Sequence, residues 1–265
     1  MEHLIIPHRR TGSLVVLILL LSLMGVHAID LFGTRGSKAT RRGEPVEFII
    51  LSGGPACRNW ENYRVEQARH DRWWGNFVRT ARVRMEQIRA QEGPDAVITW
   101  LVYRTGYEQR AKEDKADLIG NILSVRDKET IQCRLVWFRK REEVIRYLNY
   151  GDTEVPRSHF KIGSFDYFGH SNKYAFTFDY SGEVLGASKV FLHQDDLAKL
   201  QKGIFARGAR NQSWGCHTAE SMSKVWRQAT GSRLIGAVGK TDYSYCWQNG
   251  GSLPIISKSG GKWVR

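Results

Sequence analysis

Short apolar segments alternate with helical segments along most of this chain, and this alternation constrains the fold more than any other feature of the sequence. The first apolar segment, residues 46–51, stops at the turn sequence Ser-Gly-Gly-Pro of residues 52–55. Strands that alternate with helices predict a mostly parallel α/β sheet, because each helix carries the chain back to the start of the next strand. The predicted strands cover residues 46–51, 96–103, 132–138 and 162–168, a segment that ends at Cys216, and residues 234–238.

Helical periodicity fills the segments between these strands. A stripe of apolar residues predicts one long helix over residues 59–90, which Gly93 and Pro94 terminate. The stripe consists of Trp73, Trp74, Phe77, Val78, Ala81, Met85 and Ile88. Shorter helices are predicted near residues 116–124, 140–147 and 197–202, the last with Asp195 as its N-cap, and a final helix is predicted to start at Thr218.

The chain has 265 residues and 42% hydrophobic content, which is enough to bury one good-sized core. We expect a three-layer α/β domain over residues 46–265, with helices on both faces of the sheet. A linker rich in Gly, Arg, Lys and Thr precedes it over residues 29–45.

Residues 1–28 have the pattern of a signal peptide. A basic stretch around Arg9 and Arg10 precedes an apolar run over residues 14–26, and Ala28 offers a small residue for cleavage. The apolar run is shorter than the roughly 20 residues that a membrane-spanning helix needs. We therefore expect a secreted or periplasmic protein, with membrane tethering by an uncleaved signal anchor as the alternative.

The formal net charge of +13 predicts electrostatic attraction to anionic surfaces. The sequence contains no specific nucleic-acid motif. It also contains no Cys-x-x-Cys pair and no paired Cys/His spacing. We therefore expect no metal and no cofactor.

Two segments end in reactive side chains. Residues 162–171 contain His170, and residues 205–218 contain Cys216. Neighbouring parallel strands present their carboxyl ends at one edge of a sheet, so His170 and Cys216 are expected to lie close together. Imidazole is the usual base for a cysteine nucleophile, and the helix predicted at Thr218 would favour the thiolate of Cys216. The sequence therefore predicts a Cys216/His170 catalytic dyad.

Glycines precede both reactive residues, at Gly169 and Gly215. They allow sharp turns and leave room for a substrate. The backbone N–H groups of Ser171 and Cys216 are then expected to bind an oxyanion. Asp166 lies on the strand before His170 but is about 13 Å away along it, too far to orient the imidazole.

A histidine that ends one central strand, followed by a cysteine that ends the next, resembles the caspase-like cysteine peptidases. This superfamily includes the caspases, legumains, gingipains and separases, together with many bacterial relatives. The resemblance is carried by residues 168–171 and 213–218 and extends over about residues 46–245. It implies a divergent, exported bacterial member that cleaves peptide bonds in a peptide or protein substrate.

The chain departs from that family at Ser171, where glycine is usual, and at His217 directly after the cysteine. The residue types leave substrate specificity open. Asp179 or Asp242 would select a basic residue, and Arg104 or Lys240 an acidic one.

Two alternatives compete with the dyad. In one, Cys57 at the start of a helix is the nucleophile, as in papain-like enzymes. In the other, the protein is a catalytically inactive, basic, secreted binding protein whose cysteines form disulfides. If Cys216 is a nucleophile, one bridge can form among Cys57, Cys133 and Cys246, and the sequence does not choose the pair.

Overall fold

The predicted, mostly parallel sheet is present, with seven strands among the residues that the structure describes. The structure is a computed structural model that describes residues 44–63, 73–180, 188–248 and 251–265. The predicted signal peptide and nearly all of the predicted linker lie outside these residues. Residues 44–265 form one compact unit.

The strands and helices follow the predicted order. The main sheet contains β1 (Val46–Ser52), β2 (Val97–Tyr103), β3 (Arg134–Phe138), β4 (Lys161–Phe168), β8 (Phe205–Ser213), β9 (Leu234–Asp242) and β10 (Ile255–Val264). A small second sheet contains β5 (His170–Ser171), β6 (Ala175–Thr177) and β7 (Phe191–His193). The helices are α1 (Arg58–Asn62), α2 (Asn76–Glu92), α3 (Arg104–Asp114), α4 (Leu118–Arg126), α5 (Arg141–Tyr150) and α6 (Met222–Thr230).

The strand order in the main sheet is β10-β9-β8-β4-β1-β2-β3. The pairs from β3 to β9 are all parallel, and β10 pairs antiparallel with β9 at the edge. The strands β4 and β8, which precede the two reactive residues, are neighbours in the middle of the sheet.

Side chains from successive residues of each strand enter two separate cores, one on each face of the sheet. In β1, Phe48 and Ile50 pack with α2, whereas Ile49 and Leu51 pack on the opposite face. The core on the α2 side of the sheet also contains residues from α3 and α4. The core on the opposite side contains residues from α5 and α6. Helices therefore cover both faces, which is the three-layer arrangement expected for a parallel sheet buried on both sides.

The long helix predicted over residues 59–90 is wrong as a single element. Helix α1 ends at Asn62, and Trp73, Trp74 and Gly75 form a turn before α2 begins. The apolar stripe from Phe77 to Ile88 is buried as predicted, and α2 ends at Gly93, whose φ of 94° only glycine adopts readily.

Two other helix predictions need correction. Helix α3 forms over a charged stretch where the sequence pattern predicts none, and ion pairs spaced four residues apart stabilise it, such as Arg104 with Glu108. The helix predicted over residues 197–202 is instead a short 3-10 helix, Gln194–Lys199. Its N-cap is His193 and not Asp195, because the His193 imidazole accepts the Asp195 N–H at 3.3 Å.

Strand β9 is four residues longer than predicted and continues to Asp242, and β10 was not predicted at all. Within the described ranges, no helix is long and apolar enough to cross a membrane.

Candidate active site

The candidate site lies at the carboxyl edge of the sheet, where β4 and β8 run side by side. Tyr167 of β4 is paired with Ser213 of β8, and the N–H of Trp214 donates to the Tyr167 carbonyl oxygen at 2.9 Å. His170 follows Tyr167 by three positions, and Cys216 follows Ser213 by three positions. The structure therefore brings the two predicted segments together at one edge.

Gly169 and Gly215 let these segments pack directly against each other. A Cβ atom on Gly215 would overlap Ser171 Oγ and would lie 3.0 Å from the Gly169 carbonyl oxygen. A Cβ atom on Gly169 would overlap the hydroxyl of Tyr167. Neither glycine has a positive φ. Both are therefore required by close approach, and not by the sharp turns that the sequence predicts.

Ser171, the departure from the resembled family, joins the two segments. Its hydroxyl donates a hydrogen bond to the Cys216 carbonyl oxygen at 2.7 Å. The side chain is thus tied to the backbone of the cysteine residue.

The backbone N–H of Ser171 points away from the small sheet. The N–H of Asn172 donates to the Ala175 carbonyl at 3.1 Å, and Ser171 opposite Phe176 is the next pair in the ladder. Antiparallel pairs alternate between hydrogen-bonded and non-hydrogen-bonded, so the Ser171 N–H faces away from β6. The Ser171 N–H is therefore not used in the pairing with β6, and its role as an oxyanion donor stays a prediction.

Aromatic side chains surround the imidazole of His170. Its ring centroid lies 5.0 Å from that of Phe77 and 4.8 Å from that of Tyr180, both in edge-to-face geometry. Trp60 of α1 lies 6.2 Å away. Such edge-to-face contacts orient the ring by packing. No local sequence pattern predicts this group, because its members come from three separate segments.

Asp166 makes its hydrogen bonds with residues other than His170, in agreement with the prediction that it lies too far along the strand to orient the imidazole. Its Oδ1 accepts the Trp214 indole N–H at 2.9 Å, and its Oδ2 accepts Arg84 Nε–H at 3.0 Å. Burial raises the pKa of Asp166 above its usual value, although the Arg84 guanidinium opposes this shift. The carboxyl group therefore fixes Trp214, which precedes Gly215 and Cys216.

The hydroxyl of Tyr167 supports the backbone of the histidine segment. It donates to the His170 carbonyl oxygen at 2.5 Å and lies 3.2 Å from the Thr177 carbonyl oxygen. Burial raises the pKa of Tyr167 well above its usual value, so the hydroxyl stays protonated and remains a donor.

Thr241 contacts the sulfur of Cys216 from the extended end of β9. Its Oγ1 lies 3.4 Å from Cys216 Sγ, and its backbone N–H donates to the same sulfur at 3.4 Å. Sequence reasoning missed this residue, because it ended the strand at residue 238. The β-branched Thr241, three residues beyond that limit, was the available signal.

The helix predicted directly after Cys216 is wrong. Residues Thr218–Glu220 form a single 3-10 turn, and α6 begins only at Met222 with Ser221 as its N-cap. The reason is His217, which has a φ of 62° and whose N–H donates to the Gly239 carbonyl oxygen at 2.8 Å. Cys216 is therefore not at a helix N-terminus, and its sulfur contacts Thr241 instead.

His217 is paired with a carboxylate on the surface. Its Nδ1 lies 2.6 Å from Glu220 Oε1, which also accepts the Gly239 N–H at 3.0 Å. These two hydrogen bonds lower the pKa of Glu220 below its usual value. The pair holds the turn that follows Cys216.

All four cysteines lie in the described part of the chain, and no disulfide bond joins any two of them. Cys57 and Cys246 are buried, with 7% and 0% of their surface exposed. Burial raises the pKa of Cys133 to about 12.

The candidate specificity residues have different environments. Asp179 is buried and accepts the Tyr103 hydroxyl at 2.8 Å, and Arg104 is paired with Glu108 on α3. Asp242 is buried next to Thr241, whereas Lys240 is exposed. Of these four, Asp242 and Lys240 flank the residue that contacts Cys216 Sγ.

Among the described residues, no group of three or more His, Cys, Asp and Glu side chains is arranged to hold a metal ion. Comparisons of this chain with protein-family models, with curated proteins and with solved structures find no match.

Proposed function

We propose that this protein is a cysteine endopeptidase of the caspase-like type, with Cys216 as nucleophile and His170 as general base. One observation carries the proposal. His170 and Cys216 follow two adjacent parallel strands by the same number of residues, and the Ser171–Cys216 hydrogen bond of 2.7 Å joins their segments.

The proposed reaction uses groups that lie at this edge of the sheet. His170 takes the thiol proton, and Cys216 Sγ bonds to the carbonyl carbon of the scissile peptide. The protonated imidazole then gives its proton to the leaving amine as the carbon–nitrogen bond breaks. Water, deprotonated by His170, releases the acyl group from sulfur and restores the thiol.

Two features would stabilise the negative charge that this reaction places first on Cys216 Sγ and then on the oxygen of the tetrahedral intermediate. The N–H of Thr241 donates to Cys216 Sγ at 3.4 Å, and a donor aimed at sulfur stabilises negative charge there. The N–H of Ser171, directed away from β6, and that of Cys216 would bind the oxyanion of the tetrahedral intermediate.

The sheet supports the caspase-like assignment in its central part and differs from it in two respects. A histidine and then a cysteine follow adjacent central strands, as the resemblance implies. The described part of the sheet, however, has seven strands, whereas the resemblance implies a six-stranded sheet, and a turn rather than an α-helix follows Cys216. We further propose that the protein acts outside the cytoplasm, since residues 1–28 have the pattern of a signal peptide.

The test is cleavage of an unfolded protein by the purified full chain, with new N-termini identified by mass spectrometry. The wild type and the C57A control are expected to cleave, because Cys57 is buried and takes no part in the reaction. C216A and H170A are expected to lose cleavage. Cleavage that survives C216A and disappears in C57A would move the nucleophile to Cys57. No cleavage by the wild type would favour the inactive binding protein.

A further inference from the structure

A second concave site lies at the opposite end of the sheet from His170 and Cys216. It is a cavity of about 430 Å³ between α2 and the first residues of β4 and β8. Ser164 in its lining is six residues before His170, which corresponds to roughly 20 Å along an extended strand. The proposed peptidase reaction uses none of its lining residues.

The cavity exists because β8 bulges away from β4. Ile162 is paired with Phe205, but the next pair is Ser164 with Arg210, so four residues of β8 face one residue of β4. Gly208 in this bulge has a φ of 83°, a conformation that glycine adopts without strain. The bulge and the small side chain of Ser164 leave space beneath α2.

Ser164, Arg210 and Arg84 each bring to the lining at least one hydrogen-bond donor that no described residue accepts. Ser164 is 3% exposed, and its Oγ has no hydrogen-bond partner. Arg210 is exposed at the mouth of the cavity and forms no hydrogen bond or ion pair with any residue that the structure describes. Arg84 uses only Nε, toward Asp166, and its terminal nitrogens bind no described residue. A buried hydroxyl without a partner is costly, so such a group next to two guanidinium groups indicates an acceptor ligand.

The rest of the lining limits what that ligand can be. Phe48 and Ile88 supply apolar surface. Glu92, the last residue of α2, also lines the cavity and disfavours a second negative charge on the ligand. We propose that this cavity binds a small monocarboxylate with an apolar body. The carboxylate lies against Arg210, Arg84 and the Ser164 hydroxyl, and the apolar body lies against Phe48 and Ile88.

The proposal is tested by calorimetric titration of the full chain with three probes of equal length. Hexanoate carries both parts of the ligand, hexan-1-ol lacks the charge, and adipate adds a second charge. We expect hexanoate to bind, adipate to bind more weakly and hexan-1-ol not to bind. N-acetylleucine carries the carboxylate of a peptide C-terminus. Tighter binding of N-acetylleucine than of hexanoate would assign the ligand to a peptide C-terminus, and tighter binding of hexanoate would assign it to a simple aliphatic acid.

Variants locate the binding site. S164A and R210A are each expected to weaken hexanoate binding by about tenfold, as loss of one hydrogen bond to a charged group predicts. R207A is the matched control, because Arg207 is an exposed arginine in the same bulge that does not line the cavity. S164A also removes an unpartnered hydroxyl, so its melting temperature should not fall. The proposal is overturned if R207A weakens binding as much as R210A, or if hexan-1-ol binds as well as hexanoate.

Discussion

Ser171 Oγ donates a hydrogen bond to the carbonyl oxygen of Cys216 at 2.7 Å, and this bond joins the segments that carry the histidine and the cysteine. Gly215 packs against the same hydroxyl so closely that any Cβ atom would overlap it. Ser171 and Gly215 therefore pack as one unit, and substitutions at these two positions should not have independent effects on stability.

We expect Gly215→Ala to lower the free energy of unfolding by about 1–3 kcal/mol, because the new methyl group overlaps Ser171. Adding Ser171→Gly should recover part of this loss, although it removes a hydrogen bond, because it removes the overlapping atoms. Urea unfolding of both single variants and the double variant measures the coupling. Additive effects would show that the segments do not pack as described.

Thr241→Val should slow reaction of Cys216 with a thiol reagent by about three- to tenfold, because it removes the hydroxyl 3.4 Å from the sulfur while keeping the side-chain shape. Thr241→Ser, which keeps the hydroxyl, is the matched control and should react at close to the wild-type rate. Equal losses in both variants would assign the effect to packing.

Arg84→Met should lower the free energy of unfolding by about 3–5 kcal/mol near neutral pH, because it leaves the buried Asp166 carboxylate without its cation. Burial already raises the pKa of Asp166, and loss of Arg84 raises it further. A carboxyl group whose pKa is higher in the folded state regains stability as pH falls through that pKa. The deficit should therefore shrink at about pH 5, as measured by urea unfolding at both pH values. Arg207→Met should show no such deficit.

Cys133 should react slowly with iodoacetamide in the folded protein at about pH 8, because burial raises its pKa to about 12 and the thiolate is the reactive form. Unfolding in urea should remove this protection. Mass spectrometry of the peptide containing Cys133 measures the rate in both states. Equal rates would contradict the raised pKa of this thiol.

Strands β1 and β2 were predictable because they are nearly continuous apolar runs, which is the pattern of strands buried on both faces. The edge strand β10 was not, because Ser259, Gly260 and Gly261 interrupt it and most of it is exposed. The break between α1 and α2 was also missed, since Trp73 and Trp74 continue the helical spacing while lying in a turn.

The segments of the candidate site were predictable, and their surroundings were not. His170 and Cys216 follow recognisable strands, so their common edge could be inferred from the parallel topology. Phe77 and Tyr180 reach His170 through tertiary packing, which no local pattern encodes. The turn at His217 was predicted as a helix, because its hydrogen bond to Gly239 depends on a strand that comes later in the chain.

The dyad is tested most directly by the rate at which iodoacetamide alkylates Cys216 near neutral pH, followed on the peptide that contains it. We expect the folded wild type to react at least about tenfold faster than the urea-unfolded chain, because His170 can act as the base for this thiol only where the fold holds their two segments at one edge of the sheet. His170→Ala should fall to the unfolded rate, whereas His217→Ala, which removes the histidine adjacent in sequence, should keep most of the wild-type rate. An undiminished rate in His170→Ala would contradict the dyad.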